Sequence, residues 1–196
     1  MSTPAATALP AGSPTASAAG RALVIGIAGI VLTALGLFVS GAQVVAMSWL
    51  VGVTYWTAIA IGMLLLVLIH HIVDASWSAA VRRQWELWLG SFKWLALLFA
   101  PLVIVSLLGS HDLVWPWMNL AHELHGGHTV GADPLYLKKA GFLSLPMFVG
   151  STAGFFAIWI WLSARLRRAS VAQDADGDVK WTSMNRRTAA LGLPLT

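Results

Sequence analysis

The stretch WLVGVTYWTAIAIGMLLLVLIHHI, residues 49–72, contains no Asp, Glu, Lys or Arg and ends in two histidines. About 20 helical residues cross the roughly 30 Å hydrocarbon core of a bilayer, so this stretch predicts a transmembrane helix. The whole chain supports the same class, because 58% of its residues are hydrophobic and only 10% are charged, whereas soluble domains carry about 25% charged residues. The sequence therefore predicts an integral membrane protein.

Three other apolar runs resemble this stretch in length, and they place further helices at about 22–39, 91–108 and 142–162. The predicted fold is an all-α membrane protein with a bundle of about four transmembrane helices within residues 21–164. Residues 1–20 carry no charge and are rich in small residues, which predicts a disordered tail. The first apolar run could instead belong to a signal peptide cleaved near Ser40–Ala42, but it is longer than a usual signal core.

The basic residues predict how the bundle is oriented. Ten of the twelve lysines and arginines fall on one side if the N-terminus is cytoplasmic, and only Lys138 and Lys139 lie outside. Such a bias marks the cytoplasmic side, so the net charge of +4 is not a signal for nucleic-acid binding. Residues 165–196 are then a cytoplasmic charged segment that ends in the start of a further apolar helix. This last apolar stretch is either a short buried tail or the start of a fifth helix of a longer protein, and we expect the second.

His70 and His71 lie about 14 Å from the middle of their helix, at the inner boundary of the hydrocarbon. Asp74 follows at a spacing that reaches either histidine if the helix continues. One interpretation is a pair of interfacial histidines that contact headgroups or water. The other is a proton relay or quinone-proximal site made of His70, His71 and Asp74, because histidine titrates near neutral pH and ionisable groups at membrane depth are usually functional.

An amphipathic connector follows on the predicted inner surface. Arg82 and Arg83 precede Glu86 at helical spacing and are expected to pair with it. Trp77 lies at the start of the connector, where an amphipathic ring suits the interface. The connector is either a positive-inside anchor or a docking surface for a neighbouring subunit.

The polar loop, residues 109–139, holds the motif HELHGGH with His122, His125 and His128. Three imidazoles could bind zinc or copper, although a solvated loop is the simpler interpretation. The other predicted helices contain no histidine, so a haem with two histidine ligands is not expected, and the chain has no cysteine for iron–sulfur ligation. No nucleophile, base and cofactor set converges, so the sequence predicts no complete catalytic site in this chain.

Several of these features occur together: His70-His71, Trp77 and Arg82-Arg83-x-x-Glu86, with Trp115-Pro116-Trp117 and the 139–146 stretch as support. The combination resembles quinone-binding subunit 2 of bacterial quinol:cytochrome c oxidoreductase, also called alternative complex III. That subunit is related to the NrfD-like polysulfide-reductase membrane proteins. This chain departs from the family pattern at residues 142–144 and at Ser151, where the family has Tyr-Leu-Asn and a later arginine.

The resemblance implies a multi-pass protein of the bacterial inner membrane without a redox centre of its own. Its complex oxidises quinol and passes electrons to iron–sulfur clusters and haem c in partner subunits, which include a paralogous membrane subunit. The implied role is support of quinol oxidation, with quinone as a possible ligand and with proton conduction. The alternative is a stand-alone membrane transporter or scaffold whose histidine-rich loop binds metal.

Overall fold

The computed structural model describes residues 14–73, 79–124 and 127–196. Within these ranges the secondary structure is helical, apart from a single isolated bridge between Glu123 and Thr129. The helices are α1 Pro14–Val39, α2 Ala42–Val73, α3 Ala79–Trp88, α4 Phe92–Leu107, α5 Pro134–Lys139, α6 Leu145–Asp176 and α7 Lys180–Gly192.

Four helical segments are long and apolar enough to cross a membrane: Ala18–Val39, Ala42–Val73, Val81–Leu107 and Leu145–Asp176. The predicted all-α membrane fold with about four spans is therefore confirmed. The third span is longer than expected, because a 3-10 turn at Leu89–Ser91 joins α3 directly to α4. The predicted connector is thus continuous with the helix of the third candidate span.

The chain divides into two compact units, Met1–Val45 and Ala46–Thr196. The first unit contains α1, whose apolar side chains are exposed, as suits side chains that contact lipid tails. This helix begins at Pro14, so residues 14–20 are helical, contrary to the predicted disordered tail. Proline is favoured at the first helical position, and the alanines that follow are strong helix formers. Residues 1–13 of the predicted tail lie outside the described residues.

The second unit is built around one apolar core to which α2, α3, α4, α6 and α7 all contribute. Phe92 packs on Trp159 and Phe99 packs on Phe156, with both ring-centroid distances at 5.7 Å. These two contacts show that α4 and α6 run antiparallel. A hydrogen bond also joins α2 to α4: Trp49 Nε1 donates to the carbonyl of Leu98 at 2.8 Å.

Helix α6 continues to Asp176, well past the predicted end at 162. The reason is its periodicity: Leu162, Ser163, Leu166, Ala169 and Ser170 are buried, and their spacing of three and four residues places them on one helical face. The apolar run ends near 162, but the amphipathic helix does not. The predicted end of the fourth helix at residue 162 is therefore wrong, and the helix extends into the predicted charged segment.

A tight turn returns the chain along α6. Gly177 ends α6 with φ +67°, a conformation that favours glycine, and α7 then runs antiparallel to α6. Near its end, a Cβ on Gly192 would lie 2.9 Å from Leu162 Cδ2 and 3.1 Å from Leu68 Cδ2. A larger residue at this position would require the side chains of Leu162 and Leu68 to shift.

Candidate functional site

A polar cluster joins α3 to α6 at one end of the second unit. We call this end the basic end, because it carries Arg82, Arg83, Arg165, Arg167 and Arg168. Glu86 is at its centre and is only 2% exposed. Ser170 Oγ donates a 2.7 Å hydrogen bond to Glu86 Oε2. Arg82 Nε lies 3.3 Å from Glu86 Oε1, and Arg83 Nη1 lies 3.6 Å from Oε2. The pairing of the two arginines with Glu86 is confirmed.

Arg83 makes a second ion pair, with Asp174 of α6. Its side chain is 54% exposed, so the cluster has one buried carboxylate and one side that contacts solvent or headgroups. A buried carboxylate is costly unless it is paired and hydrogen-bonded. Here two arginines pair with it and Oε2 accepts from Ser170, while Oε1 accepts no hydrogen bond within the described residues. The cluster therefore holds α3 against α6 and also keeps an ionisable group inside the bundle.

His70 and His71 occupy the last turn of α2 and are only 7% and 8% exposed. Their rings pack edge to face with centroids 5.2 Å apart. Both imidazoles are thus buried by the chain itself, which does not favour histidines that simply reach into water. Asp74, the third member of the predicted relay, lies outside the described residues.

His70, His71 and Glu86 are the buried ionisable side chains among the residues whose burial the structure describes. The histidines end α2, and Glu86 lies in α3 against Ser170 of α6. Buried imidazoles and a buried carboxylate are groups that can hold and exchange protons.

Sequence reasoning missed the α6 side of this cluster. Ser170 and Asp174 follow Leu166 at four-residue intervals on one helical face, and this periodicity was the available signal. It also missed Asn185 of α7, which is fully buried. Neither amide atom of Asn185 has a hydrogen-bond partner within the described ranges, so α7 places a polar group inside the unit at its basic end.

The predicted docking residues have mixed outcomes. Trp77 lies outside the described residues. Glu86 is enclosed by α3 and α6, so its contacts are within this chain, while Arg82 and Arg83 retain exposed surface. Docking of another subunit at the two arginines stays a prediction.

His122 and His128 of the polar loop lie in a small hairpin. Val130 N donates to His122 O and Leu124 N donates to His128 O, both at 2.9 Å. His122 Nδ1 lies 3.8 Å from Asp112 Oδ1. In the part of the chain that is described, no three His, Cys, Asp or Glu side chains are grouped to hold a metal. His125 lies outside that part, so the three-histidine metal site stays a prediction.

Comparison of the chain with protein-family models and with curated proteins finds no match. The membership suggested by residues 70–86 and 115–117 therefore stays a prediction that rests on those residues.

Proposed function

We propose that this chain is a membrane subunit, without a redox centre of its own, of a bacterial inner-membrane quinol:cytochrome c oxidoreductase. In this proposal the chain supports quinol oxidation and conducts protons at its basic end. The electron-transfer centres, haem c and iron–sulfur clusters, belong to partner subunits. A paralogous membrane subunit is among the proposed partners.

The observation that supports the proposal most directly is the burial of three ionisable side chains, Glu86, His70 and His71. Ionisable groups inside membrane proteins are expensive and usually mark proton or ion paths. An apolar core without a function would gain nothing from a carboxylate at this position, because apolar residues can replace a buried ion pair at little or no cost.

The orientation supports the direction of the path. The basic end carries Arg82, Arg83, Arg165, Arg167 and Arg168, and such a concentration of arginines favours the cytoplasmic side. The solvent-exposed side of Arg83 then opens the cluster to the cytoplasm. Protons taken up there would pass between water, the Glu86 carboxylate and the imidazoles.

The first experiment tests the complex. The tagged chain is purified from its native membranes in mild detergent, and its partners are identified by mass spectrometry and by the absorption bands of haem c. We expect multihaem cytochrome c and iron–sulfur subunits to co-purify. Recovery of the chain alone would overturn the proposed complex, and metal binding by the polar loop would then be tested.

The second experiment tests the proton path. Glu86→Gln and His71→Ala are compared with Glu123→Gln, which changes an exposed carboxylate of the polar loop. We expect the first two variants to lower quinol oxidation or proton translocation in the assembled complex by about tenfold or more, in line with the size of proton-transfer effects. Wild-type turnover and proton translocation in assembled His71→Ala and Glu86→Gln complexes would contradict the path.

A further inference from the structure

The last turns of α6 and the start of α7 enclose a groove of about 870 Å³ at the basic end. Along α6 its lining begins with the apolar Ala157 and Ile160, continues with Trp161, Arg165 and Arg168, and ends with Ala169 and Ala172. The distance from residue 157 to residue 168 along the helix axis is about 16 Å. Trp181 of α7 forms part of the opposite wall.

Within the described residues, no carboxylate balances the charge of the two arginines of the groove. Their neighbouring acids have other partners: Asp174 pairs with Arg83, and both Asp176 and Asp178 pair with Lys180. Within the described ranges no carboxylate pairs with Arg165 or Arg168. Helix α7, which faces them, has no acidic residue and adds two further arginines.

Arg165 is held in place while its charge stays available. Its Nε donates a 3.1 Å hydrogen bond to Thr188 Oγ1 of α7, and its guanidinium carbon lies 6.0 Å from the ring centroid of Trp161. These contacts use one N–H group and one face of the planar group. The remaining donors suit a phosphate, which guanidinium groups bind with two parallel hydrogen bonds.

The apolar lining of the groove indicates that its ligand is a lipid and not a free anion. Ala157 and Ile160 belong to the membrane-spanning part of α6. Tryptophan rings settle at the level of lipid headgroups, and Trp161 lies between the apolar and the basic lining. A ligand that fills the whole groove therefore has an apolar chain and an anionic phosphate. Basic pockets between helices on the cytoplasmic side bind such headgroups.

We propose that the α6–α7 groove is a binding site for an anionic phospholipid. Its phosphate contacts Arg165 and Arg168, and one acyl chain lies along Ala157 and Ile160. The site would connect α7 to the inner leaflet. It is independent of the proposed redox role, because none of its residues belongs to the Glu86 cluster.

The test uses the full chain in detergent micelles, with cardiolipin or phosphatidylcholine added. Bound lipid is counted by native mass spectrometry, and the melting temperature is followed by tryptophan fluorescence. The variants are Arg168→Gln and Arg165→Gln/Arg168→Gln. The matched control is Lys138→Gln/Lys139→Gln, which removes two basic residues from the polar loop.

We expect cardiolipin to bind and raise the melting temperature of the wild type and of the control, while phosphatidylcholine does neither. Each arginine removed should weaken cardiolipin binding by about fivefold. Arg168→Gln is informative even if the double variant fails to fold, because no hydrogen bond or ion pair of Arg168 is lost with it. Equal cardiolipin binding by Arg168→Gln and the wild type would overturn the proposal. So would an equal response to phosphatidylcholine, or to inorganic phosphate alone.

Discussion

The basic end and the polar loop contain the same kinds of side chain, but they use them differently. At the basic end, Ser170 binds Glu86 and Arg83 pairs with Asp174, contacts between residues 84 and 91 positions apart. In the polar loop, Asn119 binds Asp112 seven positions away, and Asp133 caps α5 by accepting from Leu135 N. Polar groups join separate helices in the first region and stabilise local turns in the second.

This difference indicates which ionisable groups interact strongly with their neighbours. A buried carboxylate between two helices is held in a fixed position and shielded from solvent, so it interacts strongly with its neighbours. An exposed carboxylate in a turn interacts weakly, because water screens its charge. Substitutions matched between the two regions should therefore have unequal effects.

The largest difference is expected for leucine side chains. Leu166 of α6 is completely buried at the basic end, whereas Leu137 of α5 is exposed. Leu166→Ala removes packed atoms and leaves a cavity, which costs about 2–5 kcal/mol, while Leu137→Ala should change stability by no more than about 0.5 kcal/mol. Unfolding in detergent, followed by tryptophan fluorescence, measures both. Equal losses in the two variants would show that the basic end is not a packed core.

A smaller difference is expected for the two glutamates. Glu86→Gln removes the charge that balances Arg82 and Arg83 and alters the acceptor of Ser170, so the free energy of unfolding should fall by about 1–3 kcal/mol. The exposure of Arg83 keeps this below the cost of breaking a fully buried pair. Glu123→Gln in the polar loop should be nearly neutral in the same unfolding experiment. A neutral Glu86→Gln would mean that the ion pairs contribute nothing measurable to stability.

Sequence patterns predicted the membrane spans well, because a long apolar run in a bilayer forms a helix that satisfies its own backbone hydrogen bonds. The Arg82–Glu86 and Arg83–Glu86 pairs could also be predicted, since they depend only on spacing within one helix. The contact between Glu86 and Ser170 could not. It depends on the antiparallel register of α3 and α6, which side-chain packing determines and local sequence does not.

The end of α6 was mispredicted for a related reason. Hydropathy falls after residue 162, and a search for apolar runs stops there. Helicity continues because Leu166 belongs to the same core as Ala189 of α7 and Ser170 binds Glu86 of α3, and tertiary packing stabilises an amphipathic helix more than its own propensity does. The burial of His70 and His71 could not be predicted either. The sequence indicates that they lie at the inner boundary of the hydrocarbon, but their burial requires neighbouring helices.

The smallest expected effect concerns an exposed charge pair at the basic end. Asp178 accepts a 2.8 Å hydrogen bond from Lys180 N and pairs with Lys180 Nζ at 2.9 Å. The bond to the Lys180 side chain is the main cause that lowers the pKa of Asp178 below its ordinary value of 3.8. Because the folded-state pKa is depressed, this contribution to stability is present above pH 4 and is lost as pH falls through the lowered pKa.

Asp178→Asn keeps an acceptor for the Lys180 backbone but removes the titrating charge. We expect the variant to be slightly less stable than the wild type at pH 6, with a difference that becomes smaller as pH falls below 4. Melting temperatures of both proteins, measured in the same detergent from pH 6 to pH 3, give this difference directly. Curves that stay parallel over the range would show that Asp178 acts only as a neutral cap of α7. In that case, the ion pairs of the basic end that affect stability would be those that the buried Glu86 makes.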